Sequence, residues 1–182
     1  MNANTTVDRL QGLAVHDAVD GDAPVLAELA ARTFCEAFAA DNNPDDMRAH
    51  LESAYTPVLQ LAEIRNPSID TLLVRIHGGP PIAYAQLRAG RVADGVPAEG
   101  SVELWRFYVD KAYHGLGVAQ GLMAAAKLRA GRRCAASLWL GVWERNARAQ
   151  AFYGKHGFRK VGKQVFVVGS DPQTDDVLLC AL

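Results

Sequence analysis

Residues 114–119, His114-Gly115-Leu116-Gly117-Val118-Ala119, are the first place in this chain where residue type and spacing could do chemistry. Two glycines in a turn that opens a helix leave several backbone N–H groups unpaired at the positive end of the helix dipole. With no Cβ in the way, an anionic ligand can come close to that backbone, and a pyrophosphate suits the place. The same glycines also suit a plain strand-to-helix connection, and the turn alone does not choose between the two. Two rival phosphate motifs fail. A dinucleotide fingerprint needs Gly-x-Gly-x-x-Gly, yet Gln120 stands at the third glycine position and Gly121 comes one residue late. A nucleotide P-loop needs Gly-Lys followed by Ser or Thr, which does not occur. Hydrolase and zinc-peptidase chemistry have no footing either, because Gly-x-Ser-x-Gly and His-Glu-x-x-His are both missing.

Two strong patterns hold the turn. Ser101–Val109, rich in Trp, Phe, Tyr and Val, predicts a strand. Val118–Ala130 predicts a helix with Leu122, Met123 and Ala126 inward. Upstream, Leu13–Val19 reads as a first strand and residues 1–11 as loose polar chain. Asp20, Asp22 and Pro24 start a helix whose stripe is Val25, Leu26, Leu29, Ala30, Phe34, Ala37 and Phe38. Asn43-Pro44-Asp45-Asp46 starts a second helix reaching Tyr55, with a further helical piece over Pro57–Arg65. Asn66-Pro67-Ser68 breaks it. Thr71–Ile76 and Ile82–Leu87 flank a Gly78-Gly79-Pro80 turn as an antiparallel pair, and Gly90–Gly100 is a loop. Downstream come a strand Ser137–Val142, a short helix Asn146–Lys155 stopped by Gly157, and closing strands Lys160–Val168 and Val177–Leu182.

Composition sets the outer limits. A chain of 182 residues, 49% of them hydrophobic, suits one domain with its own core. Nineteen Lys and Arg against twenty Asp and Glu give a net charge of -1, which supports neither nucleic-acid nor membrane-surface binding. Cys35, Cys134 and Cys180 are odd in number and scattered, which argues against a disulfide framework or a zinc site and fits a reducing cytoplasm. The first residues lack the basic start and apolar run of a secretory signal, and no segment has the run of about 18 apolar residues that a membrane span needs.

Several segments together resemble the GCN5-related N-acetyltransferase (GNAT) superfamily. Its cofactor loop reads Gln or Arg, two residues, Gly, one residue, then Gly or Ala. Gly117 and Ala119 meet the last two positions, and His114 departs at the first. Trp139-Leu140-Gly141-Val142-Trp143-Glu144-Arg145-Asn146, followed by Phe152-Tyr153 and Gly157-Phe158, is similar to the second cofactor segment. The stretch from Glu103 to Gly169 is especially like bacterial PaiA-type spermidine/spermine N-acetyltransferases.

The resemblance implies a single α/β (α+β) domain over 1–182, with a mixed, mostly antiparallel sheet of about seven strands, about four flanking helices and splayed central strands. It implies acetyl-CoA as co-substrate and no metal. The loop amides of Gly115, Leu116, Gly117, Val118, Ala119 and Gln120 would grip the pyrophosphate. Phe107, Tyr108 and Val109, at the free end of a splayed strand, would offer backbone groups to the pantetheine arm and the thioester carbonyl. Asn146 would bond the cofactor arm, alongside its ordinary reading as a helix cap. Lys155 reaches the phosphates or is solvated surface.

Tyr153 would protonate the leaving thiolate, since a phenol with a pKa of about 10 keeps its proton at neutral pH, although in most helices such a tyrosine is an ordinary half-buried aromatic. A carboxylate or a chain of waters could take the amine's proton, and Glu103 is the best candidate base. It lies six residues before Val109, and so on one strand face with Phe107 and Val109 by the two-residue period; a Glu there also suits a soluble strand edge. His114 and His156 are weaker, and Gly141 occupies the place where some relatives carry a base. Asp41, Asp45 and Asp46 either attract a cationic amine or cap the second helix. The expected partner is a small-molecule amine, with a homodimer through the final strands open. A non-catalytic acetyl-CoA sensor and a protein N-acetyltransferase are the alternatives.

Overall fold

Seven stretches of β-branched and aromatic residues join into one sheet in the computed structural model, which describes residues 12–182. The expectation for 1–11 lies outside the described residues. The strands are β1 (Leu13–Asp17), β2 (Ile69–Ile76), β3 (Pro81–Arg88), β4 (Ser101–Val109), β5 (Ser137–Trp143), β6 (Arg159–Val168) and β7 (Asp171–Ala181). They lie in the order β1-β2-β3-β4-β5-β7-β6, with β4 and β5 parallel and every other neighbouring pair antiparallel.

Five α-helices flank the sheet: α1 (Ala23–Phe38), α2 (Pro44–Ala54), α3 (Pro57–Ile64), α4 (Val118–Arg132) and α5 (Ala147–Lys155). The fifth is the Pro57 segment, which stands as a full helix because the Thr56 hydroxyl accepts from the Leu59 amide and Pro57 sits where no N–H is needed. Each sheet face has its own apolar core. On one face, Leu122, Met123, Ala126 and Ala130 of α4 pack with Tyr153 of α5 against Val74, Ala83, Ala85, Leu104, Leu138 and Leu140. On the other, Leu26, Leu29, Ala30 and Phe34 of α1 pack with Met47 of α2, Tyr55, Leu73 and Tyr84.

The parallel pair places the site. Pairing of β4 with β5 covers only Ser101↔Ser137, Val102↔Leu138 and Glu103↔Trp139. Beyond Glu103 the two strands diverge, each still held by its outer neighbour, and a gap opens between Leu104–Val109 and Leu140–Trp143.

β7 begins at Asp171, six residues before the Val177 read from the sequence. Asp, Pro, Gln and Thr look like loop residues, but a tight turn at Gly169-Ser170 lets them pair with β6, from Val168↔Asp171 through Gln164↔Asp175. Asp46 fastens that turn to α2, accepting from the Ser170 amide at 2.6 Å and from its hydroxyl at 2.8 Å.

Candidate active site

α4 starts at a bare helix end. Its N-cap is Gly117, left-handed at φ +87°, with no side-chain cap and no acidic residue in the first turn. Gly115 is also left-handed, and a Cβ on it would meet open space. The first turn-type bond of the helix runs from the Gly121 amide to the Gly117 carbonyl. Among the described residues, no acceptor takes a hydrogen bond from the amides of 115–120 outside regular helix bonding. The amides of Val118, Ala119 and Gln120 fall in the first turn, where no intrahelical acceptor exists. The positive end of the dipole is therefore uncompensated.

The turn is braced from below. Asp110 accepts from the Ala112 amide at 2.9 Å and ion-pairs with Arg32 of α1. The His114 ring bonds the Val109 carbonyl at 2.8 Å, so His114 closes the loop onto the strand.

β4 carries Phe107 and Val109 toward α4 and α5, and Tyr108 toward α1. Phe107 stacks on Phe152 at 5.7 Å and meets Tyr153 edge-on at 6.3 Å. Tyr153 is buried among Phe107, Phe152 and Phe158, and loss of solvent pushes its phenol well above the usual range. It stays protonated, as a proton donor must.

The sequence reading of Glu103 needs correction. A β-bulge breaks the two-residue period: Gln86 pairs with Arg106, but Leu87 pairs with Leu104, so β4 holds one extra residue at Trp105. Glu103 therefore lies on the α1 face with Arg106 and Tyr108, away from Phe107 and Val109. Its carboxylate is buried against Arg88, with Nε at 2.8 Å and Nη2 at 2.7 Å. Arg88 and Arg106 in turn both lie over the Trp105 ring system, at 4.0 and 3.8 Å from its centroid. The cluster holds Glu103 Oε2 against Arg88 on the α1 face.

On α5, Asn146 is the N-cap, its side chain accepting from the Ala149 amide at 3.0 Å. Lys155 lies exposed in the last turn, where a cation also complements the helix dipole. In the first turn of α2, Asp45 ion-pairs with Arg48 at 2.5 Å and Asp46 clasps Ser170; Asp41, before the helix, stays exposed.

With this geometry in hand, comparison with known proteins is decisive. The acetyltransferase (GNAT) family matches residues 31–158. An uncharacterised N-acetyltransferase of Mycobacterium bovis is 33% identical over 158 residues, covering 87% of this chain and 96% of the relative. The chain belongs to the GNAT acetyltransferase family. An uncharacterised N-acetyltransferase of Lactobacillus delbrueckii subsp. lactis is 28% identical over 95% of this chain and 99% of its own length. Among solved structures, the PaiA N-acetyltransferase of Thermoplasma acidophilum, crystallised with coenzyme A, superposes with a TM-score of 0.77 at 19% identity, covering 93% of this chain and 99% of that one.

As a GNAT protein the chain is an acetyl-CoA-dependent N-acetyltransferase. The site fits that donor: open amides and an uncompensated dipole for the diphosphate, and a gap between β4 and β5 for the arm. Among the described residues no group of His, Cys, Asp and Glu could hold a metal, and no helix is long and apolar enough to cross a membrane.

One residue escaped the sequence. Asp175 is buried on β7, in the stretch that resembles a loop, and its carboxylate lies over Gly141 of β5: a Cβ there would be 2.9 Å from Asp175 Oδ2 and would collide with Gln164 Nε2. The signal in the sequence was Gly141 itself, a strand glycine that marks close approach of another group.

Proposed function

We propose that this GNAT protein acetylates the primary amine of a small cationic molecule, such as a polyamine. The amides of 115–120 bind the diphosphate of acetyl-CoA, and the free edge of β4 at Phe107, Tyr108 and Val109 orients the pantetheine arm and polarises the thioester carbonyl. Asn146 borders the arm while capping α5, and Lys155 lies toward the phosphates. Tyr153 gives its proton to the departing sulfur.

The observation that carries this reading is the open run of amides at the head of α4, beside a gap in the sheet that is flanked by Phe107 and its neighbour Tyr153. A cationic acceptor is supported by the acids Asp41, exposed beside Asn42, and Asp171, joined through Gln173, which donates to both Asn42 and Asp171.

The test is release of free thiol from acetyl-CoA with spermidine, other small amines, amino acids, aminoglycosides and peptides. Turnover is expected with small polycations first. Turnover confined to peptides would make the chain a protein acetyltransferase, and tight acetyl-CoA binding without turnover would make it a sensor.

A further inference from the structure

Four carboxylates are buried among the described residues: Glu103, Asp110, Asp175 and Asp176. Three have a cation. Glu103 is held by Arg88, Asp110 by Arg32 and Asp176 by Lys160. Asp175 has none among the described residues. A buried carboxylate without a counter-ion is costly, and the fold tolerates this one beside the gap that the cofactor arm would enter.

Its position is specific. Asp175 is paired with Trp143 at the diverging end of β5 and with Gln164 of β6. Its carboxylate occupies the space that Gly141 leaves on the α1 face of β5. Across the gap on β4, Tyr108 is near enough to both Asp175 and Tyr153 that each would oppose its ionisation. Phe38 of α1 lies 6.1 Å from the Trp143 ring and gives this corner an apolar roof.

We propose that Asp175 is the counter-ion for the acceptor's ammonium group and the base that takes its proton. The inference rests on the acetyl-transfer reading above. One N–H bond of the ammonium breaks and its proton goes to a carboxylate oxygen of Asp175. The freed nitrogen pair forms the C–N bond as the C–S bond breaks, and Tyr153 donates its proton to the sulfur. The nitrogen loses a second proton, which restores Tyr153 through solvent. Asp175 then releases its own proton to water, so one proton is freed per acetyl group.

Burial is the main cause that raises the Asp175 carboxyl to about 6; the Gln164 amide opposes this and Asp176 adds to it. On the elements packed around it, the other charged or titratable groups are Asp176 with Lys160, Lys163 with Glu144, Tyr108, and His50 of α2 against Phe166 of β6. Activity should therefore rise with pH through about 6, as the carboxylate ionises.

The experiment follows thiol release against pH for the wild-type chain, Asp175→Asn, Gln164→Leu and Glu103→Gln, with acetyl-CoA affinity measured by calorimetry in parallel. Asp175→Asn is expected to keep acetyl-CoA affinity, to lose about 10²–10⁴ in kcat/KM for the amine, and to lose the acid limb. Gln164→Leu, which removes the opposing hydrogen bond, should move that limb to higher pH and decides the matter if Asp175→Asn does not fold. Glu103→Gln should retain the limb. A limb unmoved by the first two variants, or abolished by Glu103→Gln alone, overturns the assignment. A wild-type chain that binds acetyl-CoA and acetylates no amine overturns the transfer reading and the role of Asp175 with it.

Discussion

Tyr153 gathers its surroundings from three elements: Phe107 from β4, Phe152 from its own helix, and Phe158 from the turn after α5. These rings exclude water and keep the phenol protonated, as the proposed proton donor to the departing sulfur must be. Tyr153→Phe preserves the ring packing and removes only that proton. A fall in kcat of about 10²–10⁴ with unchanged acetyl-CoA affinity is expected, measured by thiol release and calorimetry; equal kcat would remove Tyr153 from the chemistry. The Asn146 cap and the glycine turn before α4 were legible in the sequence because each sits in a local motif. Glu103 was legible as a residue but not in its orientation, because one extra residue at Trp105 turns it to the other face, and a bulge leaves no mark in a two-residue count. Asp175 was hidden for a different reason. Its significance comes from lacking a cation that similar buried acids possess, and only folding reveals who is paired.

At the scale of elements, α4 is a helix fastened at one end and bare at the other. Arg129 bridges Asp17 and Asp70 at 2.5 and 3.1 Å and Arg133 pairs with Asp70, which ties the C-terminal end to β1 and β2. The N-terminal end has only glycine. Gly117→Ala places a Cβ on a left-handed residue, at a cost of about 1 kcal/mol, and tilts the amides of the first turn. Acetyl-CoA affinity should weaken about tenfold by calorimetry; unchanged affinity would place the diphosphate elsewhere. Most elements were readable from periodicity and caps, including the helix starts at Pro24 and Pro44. The extension of β7 was not, since Asp171–Asp176 is paired through a turn whose geometry outweighs the weak strand preference of those residues.

Across the whole molecule, two helix layers and a sheet that opens in the middle convert a stability cost into a site. Asp175 illustrates the exchange. Its carboxyl rises from 3.8 to about 6 on folding, so the native state holds that proton to higher pH than the unfolded chain does. Stability from this group is therefore full below about pH 4 and is lost as pH rises through about 6. Asp175→Asn removes the penalty and should stabilise the protein at neutral pH by about 1–3 kcal/mol, with the advantage vanishing at acid pH in urea melts. A variant less stable than wild type at neutral pH would show that the carboxylate is well satisfied. The overall architecture was readable because a family resemblance ran through motifs in order; the two faces of the sheet and the gap between β4 and β5 depend on pairing between distant strands, which no local pattern encodes.

All of this depends on acetyl-CoA lying with its diphosphate on the amides at the head of α4. Titrating ¹⁵N-labelled protein with acetyl-CoA and following the amide resonances tests that directly. The amides of Gly115, Leu116, Gly117, Val118, Ala119 and Gln120 should move the most, as free N–H groups acquire charged acceptors. Saturable binding that leaves those six amides unmoved would contradict the account.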